Sequence, residues 1–384
     1  MYKRLISLDK SSQQSFFLWG LRQAGKTTLL EQEFKDAMWI QLLKSETYNE
    51  FLKRPQLLRE RMAAQNLDRS KWVVIDEVQK IPELLNEVHL LIEDGYKFAL
   101  CGSSARKLKR GAANLLGGRA LRYELYGLTS AEIGKDFDLL RILNRGYLPR
   151  IYDSENFSAQ LRAYCSDYLK EEIFSEGLVQ SLAPFSQFLD MAALCDTQIL
   201  SYTSFARDVG KSAPTIKSYF EILNDTLLGS FLPAYILKPK RQIKKQPKFY
   251  FSDLGVVNSL TQRGEIKAKT ELLGKAFENW VHHELKSYLS YKKPEYTLCY
   301  WSLSSGVEVD FIVGHMKAAF ESKASESINP SHMKGLRELK KEHPLCGHRY
   351  VVSLEPESRI TEDGIHVLSI GDFTKKLWSN NLFD

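Results

Sequence analysis

The chain has 384 residues, 43% hydrophobic and 26% charged, with a formal net charge of +6; that length predicts two or three domains. No apolar run approaches the ~20 residues that cross a bilayer, and 1–8 lack a signal peptide's apolar core and cleavage site, so the expectation is a cytoplasmic protein without a membrane partner. The five cysteines (Cys101, Cys165, Cys195, Cys299, Cys346) are odd in number and lack metal-ligand spacing, which argues against a disulfide framework or a cysteine metal site.

The first third alternates short apolar runs with helical stretches, the pattern of a parallel sheet. The runs are 15–19, 37–43, 72–75, 97–101 and 120–126. Between the third and fourth, 83–93 carries Leu84, Leu85, Val88, Leu91 and Ile92 at helical spacing, with Pro82 at a first-turn position.

The first run enters Gly20-Leu21-Arg22-Gln23-Ala24-Gly25-Lys26-Thr27, which satisfies G-x-x-x-x-G-K-[ST]. The glycines let the loop wrap so that backbone N–H groups face phosphate oxygens. The helix that follows adds the positive end of its dipole. Lys26 suits the β- and γ-phosphates and Thr27 a Mg²⁺ ion. Gly20, Arg22, Gln23, Ala24, Gly25, Lys26, Thr27 and Thr28 are therefore the expected nucleotide contacts, and ATP with Mg²⁺ the expected ligands.

The third run ends on Asp76-Glu77. An acid there reaches the metal directly or through water, and Glu77 can polarise the attacking water as general base. Ser103, after the fourth run, either touches the γ-phosphate or lytic water or caps a helix. Arg119, after Gly117-Gly118, is a candidate for completing a neighbouring subunit's site. Arg106 and Arg122 are its rivals, and a plain surface arginine is the alternative for each.

From about 129 the pattern turns helical, with helices expected at 159–175 and 184–193. The stretch 201–228 splits around Gly210-Lys211-Ser212-Ala213-Pro214, a helix-turn-helix signature. The runs 231–236 and 248–251 are expected as the strands of a winged version, and 238–248 holds six basic residues. Lys211, Lys217 and that cluster either contact DNA phosphates or belong to a module that serves structure alone.

The last third is mixed. A helix is expected at 272–291, strands at 296–301, 307–313, 318–321 and 349–353, and a helix at 332–341. Glu321 and Lys323 share a strand face, and Asp310 lies on the preceding strand, placed to pair as a hairpin. With Glu278 on the long helix, these groups suit a Mg²⁺ site with Lys323 as a catalytic partner. A solvated Glu-Lys pair at a sheet edge is the plain alternative.

An acid on a helix followed by D…ExK on two strands resembles the PD-(D/E)xK nuclease fold. Nearly the whole chain resembles a prokaryotic family with an AAA-type ATPase domain followed by a DUF4143 domain. The matching segments are 20–28, Asp76-Glu77-Val78-Gln79-Lys80 with Pro82, Gly102-Ser103-Ser104, Gly117-Gly118-Arg119, 248–253, 274–280, and Asp310, Glu321 and Lys323. Arg145-Gly146-Tyr147-Leu148-Pro149 departs from the family's Gly-Gly turn by one lost glycine and one added residue. The resemblance implies an archaeal-ATPase or STAND-like P-loop protein of α/β class and a homo-oligomer, with a hexamer-type ring among the assemblies it allows.

The expected domains are a P-loop ATPase domain at 1–135, a helical winged helix-turn-helix region at 136–255 and a nuclease-like α/β domain at 256–384. The function expected is ATP hydrolysis coupled to DNA binding or processing. The alternative is a nucleotide-controlled oligomeric switch whose nuclease-like domain is a non-catalytic protein-interaction module.

Overall fold

The computed structural model describes residues 2–104, 115–169, 173, 181–236 and 246–383. Arg106 and most of the basic run 238–248 lie outside them. The chain divides into two compact units.

One unit comprises Lys3–Gly127 with Asp225–Leu228. Its strands are β1 (Ser15–Gly20), β2 (Met38–Gln41), β3 (Trp72–Asp76), β4 (Lys97–Gly102) and β5 (Ala120–Leu125). They form an all-parallel sheet in the order β2-β3-β4-β1-β5. Parallel strands covered on both faces are apolar throughout rather than alternating, and all six residues of β1 are buried. Phe17 stacks on Trp19, two residues along on the same face, while Phe16 turns to Phe34, Trp72 and Tyr123 on the other. The helices are α1 (Lys26–Glu33), α2 (Ser45–Lys53), α3 (Leu57–Ala64) and α4 (Leu84–Glu93).

The other unit comprises Leu128–Asn224 and Gly229–Asp384, with the first two residues. Short helices come first: α5 (Ser130–Ile133), α6 (Leu139–Arg145), α7 (Pro149–Tyr152) and α8 (Phe157–Ala163). The predicted helix at 159–175 leaves α-geometry after Ala163 for a π-helical turn at Tyr164–Leu169. Gly146 (φ 80°) opens the turn whose sequence departs from the family. Asp253 holds that turn by accepting from the backbone N–H groups of Tyr147 (2.6 Å) and Leu148 (3.1 Å).

After α9 (Leu182–Leu194) come α10 (Tyr202–Val209) and α11 (Ala213–Asp225), joined through Gly210 in the left-handed region. Phe188, Phe205 and Phe220 pack edge to face or tilted between them. β6 (Gly229–Leu232) pairs antiparallel with β7 (Lys248–Phe251). α12 (Leu254–Leu260) and the 22-residue α13 (Glu271–Lys292) follow.

The last sheet holds β8 (Leu298–Ser302), β9 (Glu308–Val313), β10 (Ala318–Lys323), β11 (His348–Ser353), β12 (Arg359–Ile360) and β13 (Ile365–Ser369). Its order is β12-β13-β11-β10-β9-β8. It is mixed: β9 and β10 form the expected antiparallel hairpin, whereas β10, β11 and β13 run parallel. α14 (Lys334–Glu342) and α15 (Ile370–Trp378) complete the unit. Among the described residues no helix is long and apolar enough to cross a membrane.

Candidate functional site

In the parallel sheet, Gly20, Asp76 and Gly102 end neighbouring strands at the carboxyl edge. The loop after β1 carries Gln23 at φ 62° and Gly25 at φ 95°, two left-handed residues that turn the chain back toward α1. Gly25 takes that conformation at no steric cost. Gly20 answers a different demand, for a Cβ there would lie 2.5 Å from the Leu125 carbonyl oxygen on β5. The sequence reading gave both glycines to loop wrapping; the first is fixed by strand packing.

Gly25 caps α1 with no side-chain acceptor, which leaves first-turn N–H groups for an anion to meet. Lys26 is buried, and its ammonium donates to the carbonyls of Gly20 and Leu21, each at 2.9 Å. Arg4 braces the loop from behind, donating to Ala24 O at 2.6 Å and to Tyr126 O and Gly127 O at 2.5 and 3.2 Å. The sequence reading missed Arg4, because an arginine 16 residues before the motif carries no spacing signal.

Thr27 Oγ1 donates to Asp76 Oδ2 at 3.0 Å, and Asp76 Oδ1 is buried with no hydrogen-bond partner among the described residues. That pairing of hydroxyl and open carboxylate oxygen fits a divalent cation. Burial, and then Asp76 beside it, push the Cys101 thiol well up. Glu77 sits at φ 60°, a conformation that costs a non-glycine residue about 1–3 kcal/mol and clusters at functional sites. Ser103 is also buried here and accepts from Arg22 Nε at 3.4 Å. Gln23 points to solvent, and Thr28 is half-buried on α1.

Arg119 is not at this edge. It precedes β5, whose Ala120 pairs with Ser15 and whose Leu125 pairs with Gly20. It therefore sits a strand's length, about 20 Å, from the phosphate loop, exposed and ion-paired with Glu93. Arg122 is exposed on β5.

A second polar cluster lies in the other unit, and its centre is a residue the sequence reading gave to DNA phosphates. Lys248 is 3% exposed. Its ammonium lies 3.1 Å from Glu278 Oε1, 3.2 Å from Glu308 Oε1 and 3.8 Å from Asp310 Oδ1. Lys248 and Tyr250 alternate on β7 and face the same way, and Tyr250 donates to Glu278 at 2.6 Å. A lysine and a tyrosine at alternate positions of the apolar run Lys-Phe-Tyr-Phe was the available signal.

Asp310 Oδ2 accepts from Ser322 N (2.8 Å) and Ser322 Oγ (2.7 Å), and Lys323 pairs with Glu321 at 2.6 Å. Burial, and then Asp310, push Glu278 up to about 7 and Glu321 up to about 8. Burial works against the charge on Lys323, but Glu321 and Asp310 outweigh it and raise its affinity for the proton. Glu321 Oε2 is buried without a hydrogen-bond partner among the described residues. The expected set Glu278, Asp310, Glu321 and Lys323 is thus brought together. Yet among the described residues no three carboxylate, histidine or cysteine side chains form a metal-holding group. An ammonium stands among the carboxylates instead, so this pocket does not fit a divalent cation as it stands.

Lys211, in the turn between α10 and α11, is exposed, and Lys217 on α11 lies 3.8 Å from Glu221 on the same helix.

Residues 12–134 match the model of an AAA domain, and residues 273–373 match a domain of unknown function, DUF4143. The chain carries an AAA domain and a DUF4143 domain. Between them, 136–267 match another domain of unknown function, DUF8612. An AAA domain is a nucleotide-binding ATPase module, and the phosphate loop and Asp76-Glu77 fall inside its span. The chain is 26% identical over 328 residues to the uncharacterized proteins Mb2031c of Mycobacterium bovis and Rv2008c of Mycobacterium tuberculosis, covering 83% of this chain and 72% of each relative. Protein VC1899 from Vibrio cholerae aligns over 96% of both chains, at 12% identity and a TM-score of 0.21.

Proposed function

We propose that the chain binds Mg·ATP at 20–28 and hydrolyses it, and that this turnover serves a homo-oligomer acting on DNA. One observation carries the ATPase reading: Thr27 Oγ1 bonded to Asp76 Oδ2 while Asp76 Oδ1 stays buried and without a hydrogen-bond partner among the described residues. Thr27 and Asp76 would hold the Mg²⁺, which when bound screens charge on the phosphate oxygens. Lys26, within reach of the loop it now bonds, exchanges backbone carbonyls for phosphate oxygens. Glu77 takes the proton of the attacking water. Ser103, which accepts from Arg22, would meet the γ-phosphate. The separation of Arg119 from its own chain's site supports service to a neighbouring subunit. The DNA part rests on the helix-turn-helix at 202–225, read as a winged module, with Lys211 exposed.

The test is ATP affinity, ATP turnover and solution mass, measured with and without single- and double-stranded DNA, for the wild type and Lys26→Ala. The expected result is DNA-stimulated turnover in the wild type and a loss of ATP affinity of about 100-fold or more in the variant. Unchanged affinity in Lys26→Ala overturns the phosphate site, and turnover and mass indifferent to DNA overturn the DNA part.

A second reading concerns the DUF4143 domain: a non-catalytic protein-interaction module under nucleotide control. Lys248 among Glu278, Glu308 and Asp310 favours it, because the carboxylates already have their cation. Mg²⁺-dependent DNA cutting that disappears in Lys323→Ala would exclude this reading.

A further inference from the structure

We propose that Gln79 is the positioning residue for ATP hydrolysis, holding the Glu77 carboxylate in register with Ser103 so that turnover, and not ATP binding, depends on it. The proposal rests on the ATPase reading above. Gln79 lies on the 3₁₀ turn Val78–Lys80 that follows Glu77, and it is 1% exposed. A buried amide needs partners, and those of Gln79 are functional groups rather than backbone. Its Nε2 donates to Glu77 Oε2 and, at 3.1 Å, to Ser103 Oγ.

Both N–H bonds of the amide are thereby used, while Oε1 is buried without a partner among the described residues. Charge decides this orientation: turning the amide over would set its carbonyl against the Glu77 carboxylate, two acceptors facing each other. The surroundings make room for it. A Cβ on Gly102 would lie 2.4 Å from Gln79 Oε1 and 2.6 Å from the Trp19 ring, so the end of β4 does without a side chain. Ser103 also accepts from Arg22 Nε. Arg22, Ser103, Gln79 and Glu77 therefore form one hydrogen-bonded chain, running from the phosphate loop to the carboxylate that takes the proton. An unsatisfied carbonyl is a cost the fold carries, and what it obtains is a carboxylate aimed by an amide on a left-handed backbone.

The test compares Gln79→Met, which keeps length and volume but donates nothing, with the wild type, Ser103→Ala and the double variant. The expected result is a kcat about 10- to 100-fold lower, with KM and Kd for ATP within about threefold. Ser103→Ala should then cost less in the Gln79→Met background than alone, as residues in one network do. A kcat that is unchanged, a Kd that rises in step with the loss of kcat, or fully additive effects each overturn the proposal. If Gln79→Met does not fold, Gln79→Glu, of the same shape with like charge against Glu77, replaces it under the same criteria. Glu77→Gln in the same assay separates the two levels. A wild type without turnover removes the ATPase reading and this proposal with it. Turnover that dies in Glu77→Gln and survives in Gln79→Met removes the proposal alone.

Discussion

The phosphate site and the acidic pocket of the DUF4143 domain are both buried, both contain a lysine, and both were legible as motifs, yet they treat charge in opposite ways. At the phosphate site Lys26 rests on two backbone carbonyls, one oxygen of Asp76 has no hydrogen-bond partner among the described residues, and the first turn of α1 has no side-chain cap. At the acidic pocket Lys248 stands against three carboxylates and Tyr250 donates to one of them. The first site is short of partners that a ligand would bring, and the second supplies most of its own. A motif names residue types at a spacing. Whether those residues await a ligand is decided by a neighbour that the motif leaves out.

The sharpest way to break this contrast is Glu77→Gln. Turnover should fall by about 10²- to 10⁴-fold while ATP stays bound, as single-turnover kinetics and ATP retention on the protein would show. Normal turnover would leave the first site a binding site only.

Next comes Lys248→Met, which strands buried Glu278 and Asp310 without their cation. Removing one partner of a buried pair costs about 3–5 kcal/mol, read from the denaturant midpoint. A loss below about 1 kcal/mol, the scale of an exposed pair, would mean that the carboxylates are not held by Lys248.

The pocket also sets a pH dependence. Burial raises Glu278 to about 7 and Glu321 to about 8, from ordinary values of 4.5. The folded state therefore keeps protons that the unfolded chain gives up. Each group's contribution is fully present below pH 4.5 and is lost as pH rises through 7 and 8. The denaturant midpoint should fall between about pH 4.5 and 8 and level off above that, and Glu321→Gln should make that fall shallower. A midpoint that rises over this range contradicts the assignment.

The smallest effect belongs to Arg119→Ala. Its exposed pair with Glu93 should contribute within about 1 kcal/mol to stability, and turnover should drop only at concentrations where subunits assemble. An equal drop in the isolated monomer removes the role toward a neighbour.

The parallel sheet was legible because three of its strands, β1, β3 and β4, are apolar runs that end on glycine or an acid, and the observed strands lie within a few residues of the expected ones. Thr27 and Asp76 were each assigned to a Mg²⁺ ion from their places after the first and third apolar runs, and the structure bonds them to each other. α2, α3 and the short helices at 130–152 were not foreseen; the turn between α6 and α7, for one, is held by Asp253 on the Tyr147 and Leu148 amides, a contact between residues more than 100 apart in sequence. Lys248 was misplaced because its charge grouped it with neighbouring basic residues. Its burial depends on acids 30 and 60 residues away. Gln79 was noted only as part of a family segment, because nothing along the sequence reveals that Ser103 lies beside it.

The close approach of Leu125 to Gly20 bears on how such proteins are recognised across genomes. The first glycine of the phosphate motif would persist in a descendant that had given up nucleotides altogether, because the sheet still has no room for alanine there. Gly25, by contrast, answers to the loop's own curvature, and on the proposed ATPase reading Lys26 is kept only where there are phosphates to reach. Among divergent relatives, a retained Gly20 therefore reports that the sheet survives, and a retained Lys26 reports that the nucleotide does.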